Sequence, residues 1–455
     1  MNVRLPHPLV LLIAAVGVAA LLTWILPAGE YDRRDDPATG RRVVVAGTYH
    51  SVARAPVGPF AALVAIPRGI AEAADVIALI LLAGGAWVVV DKLGTLGRLV
   101  SALVARLRNR GLIAIPILAV FFATMGALEN MQEEIIPLVP VLLVLGAGLG
   151  IDAVSVVAMS AGAAMIGSAF GPSNPFQAGI ALKLAQVPVT TAGALRLALF
   201  VVAVALWIAW TMHHAARMRR TTLPSESRPL GLSEPATEPA VRTPLAVKDV
   251  LILLLVSAPV VAYIYGSLRL GWGFNELSAS FLIAGVAAGL WGGLGLQGTT
   301  TAYLEGMQSM LPAAVLVGVA RSLSLVLSDG HVIDTILQSL ATPLGHASPA
   351  AAALLMIPAQ SLVHVFVPSV SGQAVLTMPV FVPLSDLLHL PRVATVLAYE
   401  MGAGLTEMLT PTNGALMAVL LAAGVPFQRW FKFAIAGAAI VVCVGIAGIV
   451  VLLGQ

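Results

Sequence analysis

Charged residues and cysteine are both scarce in this sequence. Asp, Glu, Lys and Arg make up 10% of the 455 residues, whereas 59% are hydrophobic and the mean hydropathy is +0.95. A soluble fold could not cover that much apolar surface, so the chain is predicted to be a polytopic membrane protein. The single cysteine, Cys443, lies in the last hydrophobic run. This excludes an internal disulfide and a cysteine-cluster metal site, and no bound metal is expected.

Signatures of enzymes and of nucleic-acid binding are also missing. The sequence has no G-x-x-x-x-G-K-[ST] loop for ATP and no H-E-x-x-H helix for zinc. The net charge of +3 is small, and the arginines lie mainly in short loops beside hydrophobic runs, where they indicate topology. We therefore expect neither an enzyme nor a nucleic-acid partner, and no cofactor other than a coupling Na⁺ or H⁺.

One membrane-embedded pattern occurs twice in the chain. Moving the segment 140–174 forward by 239 positions, without a gap, places Pro172 on Pro411 and Asn174 on Asn413. Paired hydrophobic segments with polar interruptions, at corresponding positions of two halves, are typical of the binding site of a secondary transporter. The repeat therefore predicts a transporter.

Each copy of the pattern contains two segments that are too long and too polar for a simple span. The first breaks at a polar tip, 128–134 or 367–373, between arms of ~14 residues, about half the length needed to cross the bilayer and return. The second breaks at 171–175 or 410–414, where proline removes a backbone donor. These patterns predict a re-entrant hairpin followed by a discontinuous transmembrane helix. Either break could be a structural kink, but two in register favour a ligand site.

The predicted fold is an all-α polytopic membrane protein with two repeats. Five crossings separate the hairpins, and because this number is odd the repeats have inverted topology. More Lys and Arg residues lie in the short loops on the side of the N-terminus than in those on the other side, which predicts a cytoplasmic N-terminus. Arg196 is counted among the loop arginines of the other side. The first repeat occupies 1–216, with spans near 8–27, 74–93 and 194–213, a hairpin at 111–148 and a broken helix at 152–188; a cytoplasmic linker (217–247) and a connecting span (248–270) follow; the second repeat occupies 271–455, with spans near 276–297, 306–328 and 430–453, a hairpin at 349–388 and a broken helix at 392–424.

The tips and breaks are expected to bind the solute and its coupling ion. A broken helix persists in hydrocarbon only where protein, water or ligand satisfies the freed backbone groups, and small oxygen-bearing side chains at such ends suit Na⁺. The substrate-binding candidates are Asn130, Glu134, Ser173, Asn174, Arg321, Ser371, Gln373, Glu407, Thr412 and Asn413, and the coupling-ion candidates are Gln132, Ser173, Asn174, Ser369, Thr410, Thr412 and Asn413.

Ionisable residues inside predicted spans are costly and therefore call for a function or a partner. Glu129 and Glu133 either belong to an acidic binding pocket or only line the water-filled entrance to it. Glu400 is expected to share that pocket, since it lies two turns from Glu407. Arg321 could bind a substrate carboxylate or neutralise a glutamate. His364 is interpreted as a hydrogen-bonded packing residue.

Several motifs in these segments point to one transporter family. Over nearly its whole length the chain resembles the DcuC/YfcC family of C4-dicarboxylate anaerobic carrier-like proteins, which includes candidate basic amino-acid antiporters, within the ion transporter superfamily. The resemblance implies a bacterial inner-membrane carrier that forms a homodimer, with scaffold spans around a mobile, elevator-type transport domain of hairpins and broken helices. Glu407 departs from the pattern, because similar proteins tend to have an uncharged polar residue there. The motifs that carry the resemblance include W-I-L-P-A-G-E-Y-D-R at 24–33, M-Q-E-E at 131–134, S-N-P-F at 173–176, S-G-Q-A at 371–374 and P-T-N-G at 411–414.

The sequence therefore predicts a secondary active transporter, either a symporter or an antiporter, of a small carboxylate-bearing solute. An amino acid is favoured over a dicarboxylate, because the glutamates would repel a dianion unless they are protonated or bound to sodium. A C4-dicarboxylate carrier is the first alternative, a passive channel the second, and a receptor or structural subunit the third. The expected partners are the solute, the lipid bilayer and a second copy of the chain.

Overall fold

The protein is helical throughout its hydrophobic regions. The computed structural model describes residues 7–37, 40–107, 111–172, 174–221 and 245–454. Within these residues, 11 helices are long and apolar enough to cross a membrane, which agrees with the predicted helical, polytopic membrane protein. Ser173 and most of the predicted linker at 217–247 lie outside the described residues.

The N-terminal part contains short strands and a helix that the sequence analysis did not predict. Both strand pairs are antiparallel, with Gly29 opposite Ser51 in one and Arg33 opposite Val44 in the other. The elements in order are α1 (Pro8–Ile25), β1 (Gly29–Glu30), β2 (Arg33–Asp36), β3 (Arg41–Val44), β4 (His50–Ser51), α2 (Pro59–Glu72), α3 (Ala74–Lys92) and α4 (Thr95–Leu107), with β1 paired to β4 and β2 to β3.

The next part contains the first interrupted helix. Its helical run ends at Phe170 and resumes at Ala178, so the interruption includes the predicted proline-containing segment. At a π-helical turn within the run, the Ala158 carbonyl accepts two hydrogen bonds, one from the Ala163 N–H and one from Trp207 Nε1 at 2.8 Å. The elements are α5 (Ala114–Glu129), a 3₁₀ segment (Glu133–Leu138), α6 (Val139–Leu149), α7 (Ala153–Val157), the π turn (Ala158–Gly162), α8 (Ala163–Phe170), α9 (Ala178–Leu184) and α10 (Gly193–Thr221).

The last part contains the second interrupted helix. Here the helix ends at Glu407 and resumes at Gly414, again across the predicted proline. The elements are α11 (Val247–Leu270), α12 (Phe274–Gly292), α13 (Gly295–Asp329), α14 (Ile333–Leu344), α15 (Pro349–Phe366), α16 (Val370–Leu387), α17 (Arg392–Glu407), α18 (Gly414–Ala422) and α19 (Phe427–Leu453).

Two adjacent predicted spans meet at a different boundary in the structure. The span predicted at 276–297 ends at Gly292, because Gly293 adopts a φ of 102°, a left-handed conformation that glycine tolerates and that ends a helix. The following span, predicted at 306–328, begins at Gly295 and has 35 residues. Apolar residues continue through the turn, so hydropathy alone could not locate the boundary.

The predicted re-entrant hairpins correspond to pairs of helices with non-helical tips. Their arms, α5, α6, α15 and α16, have 16, 11, 18 and 18 residues, so three of the four are longer than the ~14 residues expected for half-spanning arms. By length and composition, α15 and α16 and the segment Gly111–Glu129 are candidate spans themselves. Re-entrance and inverted topology therefore stay predictions.

The strands are attached to α14 rather than exposed on their own. The Tyr31 backbone N–H donates to Asp334 Oδ2 at 2.9 Å, and Arg33 pairs with the same carboxylate at 2.9 Å. Burial raises the pKa of the Tyr31 hydroxyl to about 12. These contacts fix the segment after α1 against the region that precedes the second hairpin.

The apolar core has two main parts. One joins α3, α11, α12 and the first part of α13, and includes Trp87, Tyr263 and Phe281. The larger part holds buried side chains of α5 to α8, α10, the second part of α13, α15 and α17 to α19, and includes Trp207 and Trp430. The interrupted helices therefore pack apart from α11 and α12, and α9 packs in a separate small cluster with α16 and α17.

Close backbone packing of α5 against α8 depends on two glycines. A Cβ on Gly167 would overlap the Ala123 carbonyl oxygen, and a Cβ on Gly126 would overlap that of Ala164. We expect Gly167→Ala to lower the free energy of unfolding by ~1–3 kcal/mol, because α5 and α8 must move apart. Thermal unfolding of the purified protein in detergent measures this loss.

Gly17 in α1 provides the matched control for that substitution. A Cβ there has no atom within 4 Å, so Gly17→Ala should leave stability unchanged or raise it by up to ~1 kcal/mol through helix propensity. A Gly167→Ala protein that unfolds at the wild-type temperature would contradict the close packing of α5 and α8.

Candidate substrate cavity

The first interruption, which we call the first break (residues 171–177), is held by Asn174. The Asn174 Oδ1 accepts hydrogen bonds from the N–H groups of Phe176 and Gln177 at 2.9 and 3.0 Å, while its Nδ2 donates to the Gly126 carbonyl at 2.8 Å. One side chain thus satisfies unwound backbone donors and ties the break to α5.

The second break (residues 408–413) uses the matching asparagine in the same way. The Asn413 Oδ1 accepts from the Leu416 N–H at 3.1 Å at the start of α18, and its Nδ2 donates to the Glu407 carbonyl at 3.2 Å. The same Nδ2 lies 3.5 Å from Gln132 Oε1. The two asparagines that the repeat aligns therefore have equivalent local roles.

The first tip (residues 130–132) lies against the second break. Asn130 ends α5 with a left-handed φ of 57°, which turns the chain away from the helix. The Gln132 side-chain amide then donates to Glu407 Oε2, and its backbone N–H donates to Glu134 Oε2 at 3.1 Å. A residue of the first repeat thus contacts the second repeat through a buried amide–carboxylate hydrogen bond.

The second tip (residues 367–369) leads into α16. The Ser369 hydroxyl accepts a hydrogen bond from the Gly372 N–H at 3.2 Å and so caps that helix. Behind the tip, Gln373 contacts His364 on α15. Ser369 is therefore a helix cap as well as a residue of the cavity described next.

A cavity of about 470 Å³ lies where the two tips and the second break meet α2, α3, α13 and the α11–α12 loop. It joins residues of both repeats, and among the described residues of the first break only Phe176 lines it. Eight of the predicted site residues line it: Asn130, Gln132, Glu134, Arg321, Ser369, Ser371, Glu407 and Asn413.

Other predicted site residues lie away from this cavity. Asn174 is fully buried in the first break, and Gln373 is fully buried behind the second tip. The hydroxyls of Thr410 and Thr412 lie 2.7 Å apart and bond to each other within the second break. Ser173 lies outside the described residues.

Several lining residues were not predicted from the sequence. Glu72 ends α2 and Asp75 begins α3, and Arg41 comes from β3. Trp272 lies in the short loop between α11 and α12. Asp75 could have been predicted from the sequence, because it is an acidic residue at the boundary of a hydrophobic span. Nothing local in the sequence, however, indicates that a strand residue such as Arg41 reaches the cavity.

The cavity lining carries more negative than positive charge. Among the described residues its acidic members are Glu72, Asp75, Glu129, Glu133, Glu134 and Glu407, and its basic members are Arg41 and Arg321. Arg321 Nε donates to Glu72 Oε2 at 2.8 Å, so one of its N–H groups already has an anionic partner. Glu129 Oε1 is buried without a hydrogen-bond partner. This balance favours a solute or ion with positive charge.

Glu400 and Arg196 were both placed incorrectly by sequence reasoning. Arg196 Nη2 lies 3.1 Å from Glu400 Oε1, and each side chain is 2% exposed. Arg196 is therefore a buried residue of α10 rather than a loop arginine, and Glu400 does not line the cavity. Because the two residues are 204 positions apart, no local pattern in either segment predicts that they pair.

Many candidate spans, two interrupted helices and a polar cavity at the second break are features of membrane transport proteins. A family model described as C4-dicarboxylate anaerobic carrier, DcuC, matches residues 5–454, and the chain belongs to this family. The family predicted from the motifs is thereby confirmed.

Two curated proteins and one solved structure illustrate the similarity. The Escherichia coli (strain K12) protein named "Putative basic amino acid antiporter YfcC" is 30% identical over 469 residues, covering 94% of this chain and 92% of that protein. A Haemophilus influenzae protein is 27% identical over 479 residues, covering 94% and 93%. The YdaH transporter of Alcanivorax borkumensis has a TM-score of 0.43 at 16% identity, covering 99% of this chain and 98% of its own.

Proposed function

We propose that the protein is a secondary active transporter that moves a small carboxylate-bearing solute, an amino acid rather than a dicarboxylate, across the bacterial inner membrane. The single observation that carries this proposal is the acidic cavity in which a tip of one repeat contacts the break of the other through Gln132 and Glu407. Such junctions of unwound segments are where secondary transporters bind solutes and coupling ions.

The position of the cavity supports an elevator-like mechanism. One wall comes from α3, the α11–α12 loop and α13, and the other from the tips and the second break. Tyr263 and Trp272 pack in the part of the core formed with α11 and α12, whereas Val317 and Ala320 of α13 pack in the part that contains the second break. The part with the interrupted helices would move across the membrane with the solute, while the other part would act as a fixed scaffold. In a homodimer, this scaffold would also contact the second copy. The N-terminus would be cytoplasmic.

The charge of the lining favours a basic amino acid. An ammonium or guanidinium group would be attracted by Glu134 and Glu407, and Arg321 has further N–H donors for the solute carboxylate besides the one that Glu72 accepts. The name of the Escherichia coli relative, a putative basic amino acid antiporter, fits this choice. A C4-dicarboxylate carrier is the second candidate because of the description of the family model, but a dianion would face uncompensated carboxylates.

Counterflow in proteoliposomes tests the function. Vesicles loaded with unlabelled arginine, lysine, glutamate or succinate are mixed with the same labelled solute at trace concentration. We expect transient, saturable accumulation of arginine or lysine, because a carrier exchanges solutes across the membrane. Glu134→Gln should weaken the apparent affinity for arginine by roughly 10-fold, equivalent to ~1.4 kcal/mol for one lost charge contact.

Glu305→Gln is the matched control for Glu134→Gln. Glu305 forms a half-exposed ion pair with Lys92 at 2.8 Å, away from the cavity, so exchange should keep its wild-type affinity. Saturable succinate exchange without any effect of amino acids would show that the transported solute is a dicarboxylate rather than an amino acid. Flux without stimulation by solute on the opposite side would instead identify a passive channel.

A further inference from the structure

His364 has a defined tautomer because its hydrogen-bond partner is itself oriented. The Gln373 Nε2 donates to the Gln360 backbone carbonyl at 2.8 Å, and a carbonyl oxygen can only accept. The Gln373 Oε1 therefore faces His364 Nδ1 at 2.8 Å and accepts a hydrogen bond from it. In the neutral ring, Nδ1 then carries the proton and Nε2 has a free lone pair.

The free lone pair of His364 lies opposite a carboxylate. His364 Nε2 is buried without a hydrogen-bond partner and lies 3.9 Å from Glu407 Oε1; the side chains are 0% and 5% exposed. The other carboxylate oxygen, Glu407 Oε2, accepts from the Gln132 amide. Glu407 lines the cavity, whereas His364 is behind it. The carboxylate thus stands between a proton acceptor and the solute space.

We infer that Glu407 and His364 form the site of a coupling proton, which either Glu407 Oε1 or His364 Nε2 carries and which passes between them when the two atoms approach from 3.9 Å to hydrogen-bond distance. This inference deepens the proposed function and rests on it. In transfer, the O–H bond at Glu407 breaks as the N–H bond at His364 forms, so the proton and the positive charge move together. When the proton leaves, Glu407 is an anion beside a neutral imidazole, and a cationic solute can take the place of the proton.

The charges around the pair support a cation at this position. From the first tip and the 3₁₀ segment come Glu129, Glu133 and Glu134; from α2 and α3 come Glu72 and Asp75, from α13 Arg321 and from β3 Arg41. On α17 itself, Glu400 is paired with Arg196. The residues behind His364, Gln360 and Gln373, are uncharged. Repulsion among the carboxylates is reduced when one of them holds a proton, so a proton or a cationic solute is favoured and the two compete.

Two spectroscopic measurements on the purified protein test this inference without any solute. In ¹⁵N NMR with labelled histidine, one ring should show the Nδ1–H tautomer, and that signal should be lost in His364→Asn. In infrared pH-difference spectra, a protonated-carboxyl band should be lost in Glu407→Gln and shifted in His364→Asn. The asparagine amide keeps an N–H donor toward Gln373 and has no atom equivalent to Nε2. Asp329→Asn, in an exposed ion pair with Arg68, should change neither signal.

A third measurement connects the proton to transport. Addition of arginine to weakly buffered protein should release about one proton per molecule; this release should be lost in Glu407→Gln and should occur over a shifted pH range in His364→Asn. A carboxyl band that is the same in wild type and Glu407→Gln, or the absence of an Nδ1–H tautomer in the wild-type protein, would overturn the inference. If both spectra appear as expected while no solute exchanges, the proton pair stands and the proposed function fails.

Discussion

Arg196→Met is expected to lower the free energy of unfolding by about 3–5 kcal/mol, because it leaves the Glu400 carboxylate buried without its partner. Both side chains are 2% exposed, and the pair joins α10 to α17 at 3.1 Å. Because the carboxylate is buried, bulk water does not solvate it in place of the guanidinium. Equilibrium unfolding with sodium dodecyl sulfate, followed by tryptophan fluorescence, measures the loss.

Two further variants separate the charge effect from packing. In Arg196→Met/Glu400→Leu no charge is left unpaired, and most of the lost stability should return. Arg68→Gln breaks the ion pair between Arg68 and Asp329, whose two side chains are 49% and 38% exposed. Because water solvates the remaining carboxylate, we expect no measurable loss of stability. A double variant as unstable as the single one would show that Arg196 acts through its shape instead.

The helix interruptions were predictable because their cause is local. Proline removes a donor wherever it stands within a helix, so Pro172 and Pro411 mark both breaks in the sequence itself. The asparagines that follow them cap or bridge their own segments, and the repeat indicated that they act alike. Boundaries set by backbone conformation rather than by hydropathy, such as the turn at Gly293, were not predictable in this way.

The composition of the cavity was only partly predictable, because it depends on partners distant in the sequence. The tips and the second break, which were predicted to share one site, line the same cavity. Arg41 and Glu72, however, reach the cavity from a strand and a short helix whose positions depend on tertiary packing. His364 was interpreted as a packing residue; its Nδ1 hydrogen bond fits that interpretation, but its Nε2 faces Glu407.

Asn413→Ala is expected to destabilise the second break and to abolish most transport. The substitution removes the cap of α18 at the Leu416 N–H, a loss of ~1 kcal/mol, and leaves the Glu407 carbonyl without its donor, a further ~1–3 kcal/mol. Because each ~1.4 kcal/mol is a factor of ten in an equilibrium constant, we expect arginine counterflow to fall by roughly 100-fold. Rates in proteoliposomes, normalised to the amount of folded protein, measure this fall.

The repeat provides the matched control for Asn413→Ala. Asn174 makes the same kinds of bonds in the first break but does not line the cavity. Asn174→Ala should therefore lose similar stability while the protein that remains folded keeps its apparent affinity for arginine. Asn413→Ser should recover the cap, about 1 kcal/mol, but not the tie to Glu407. Equal losses of arginine affinity in the two alanine variants would mean that Asn413 acts only by holding the helix ends, and its place in the solute site would have to be abandoned.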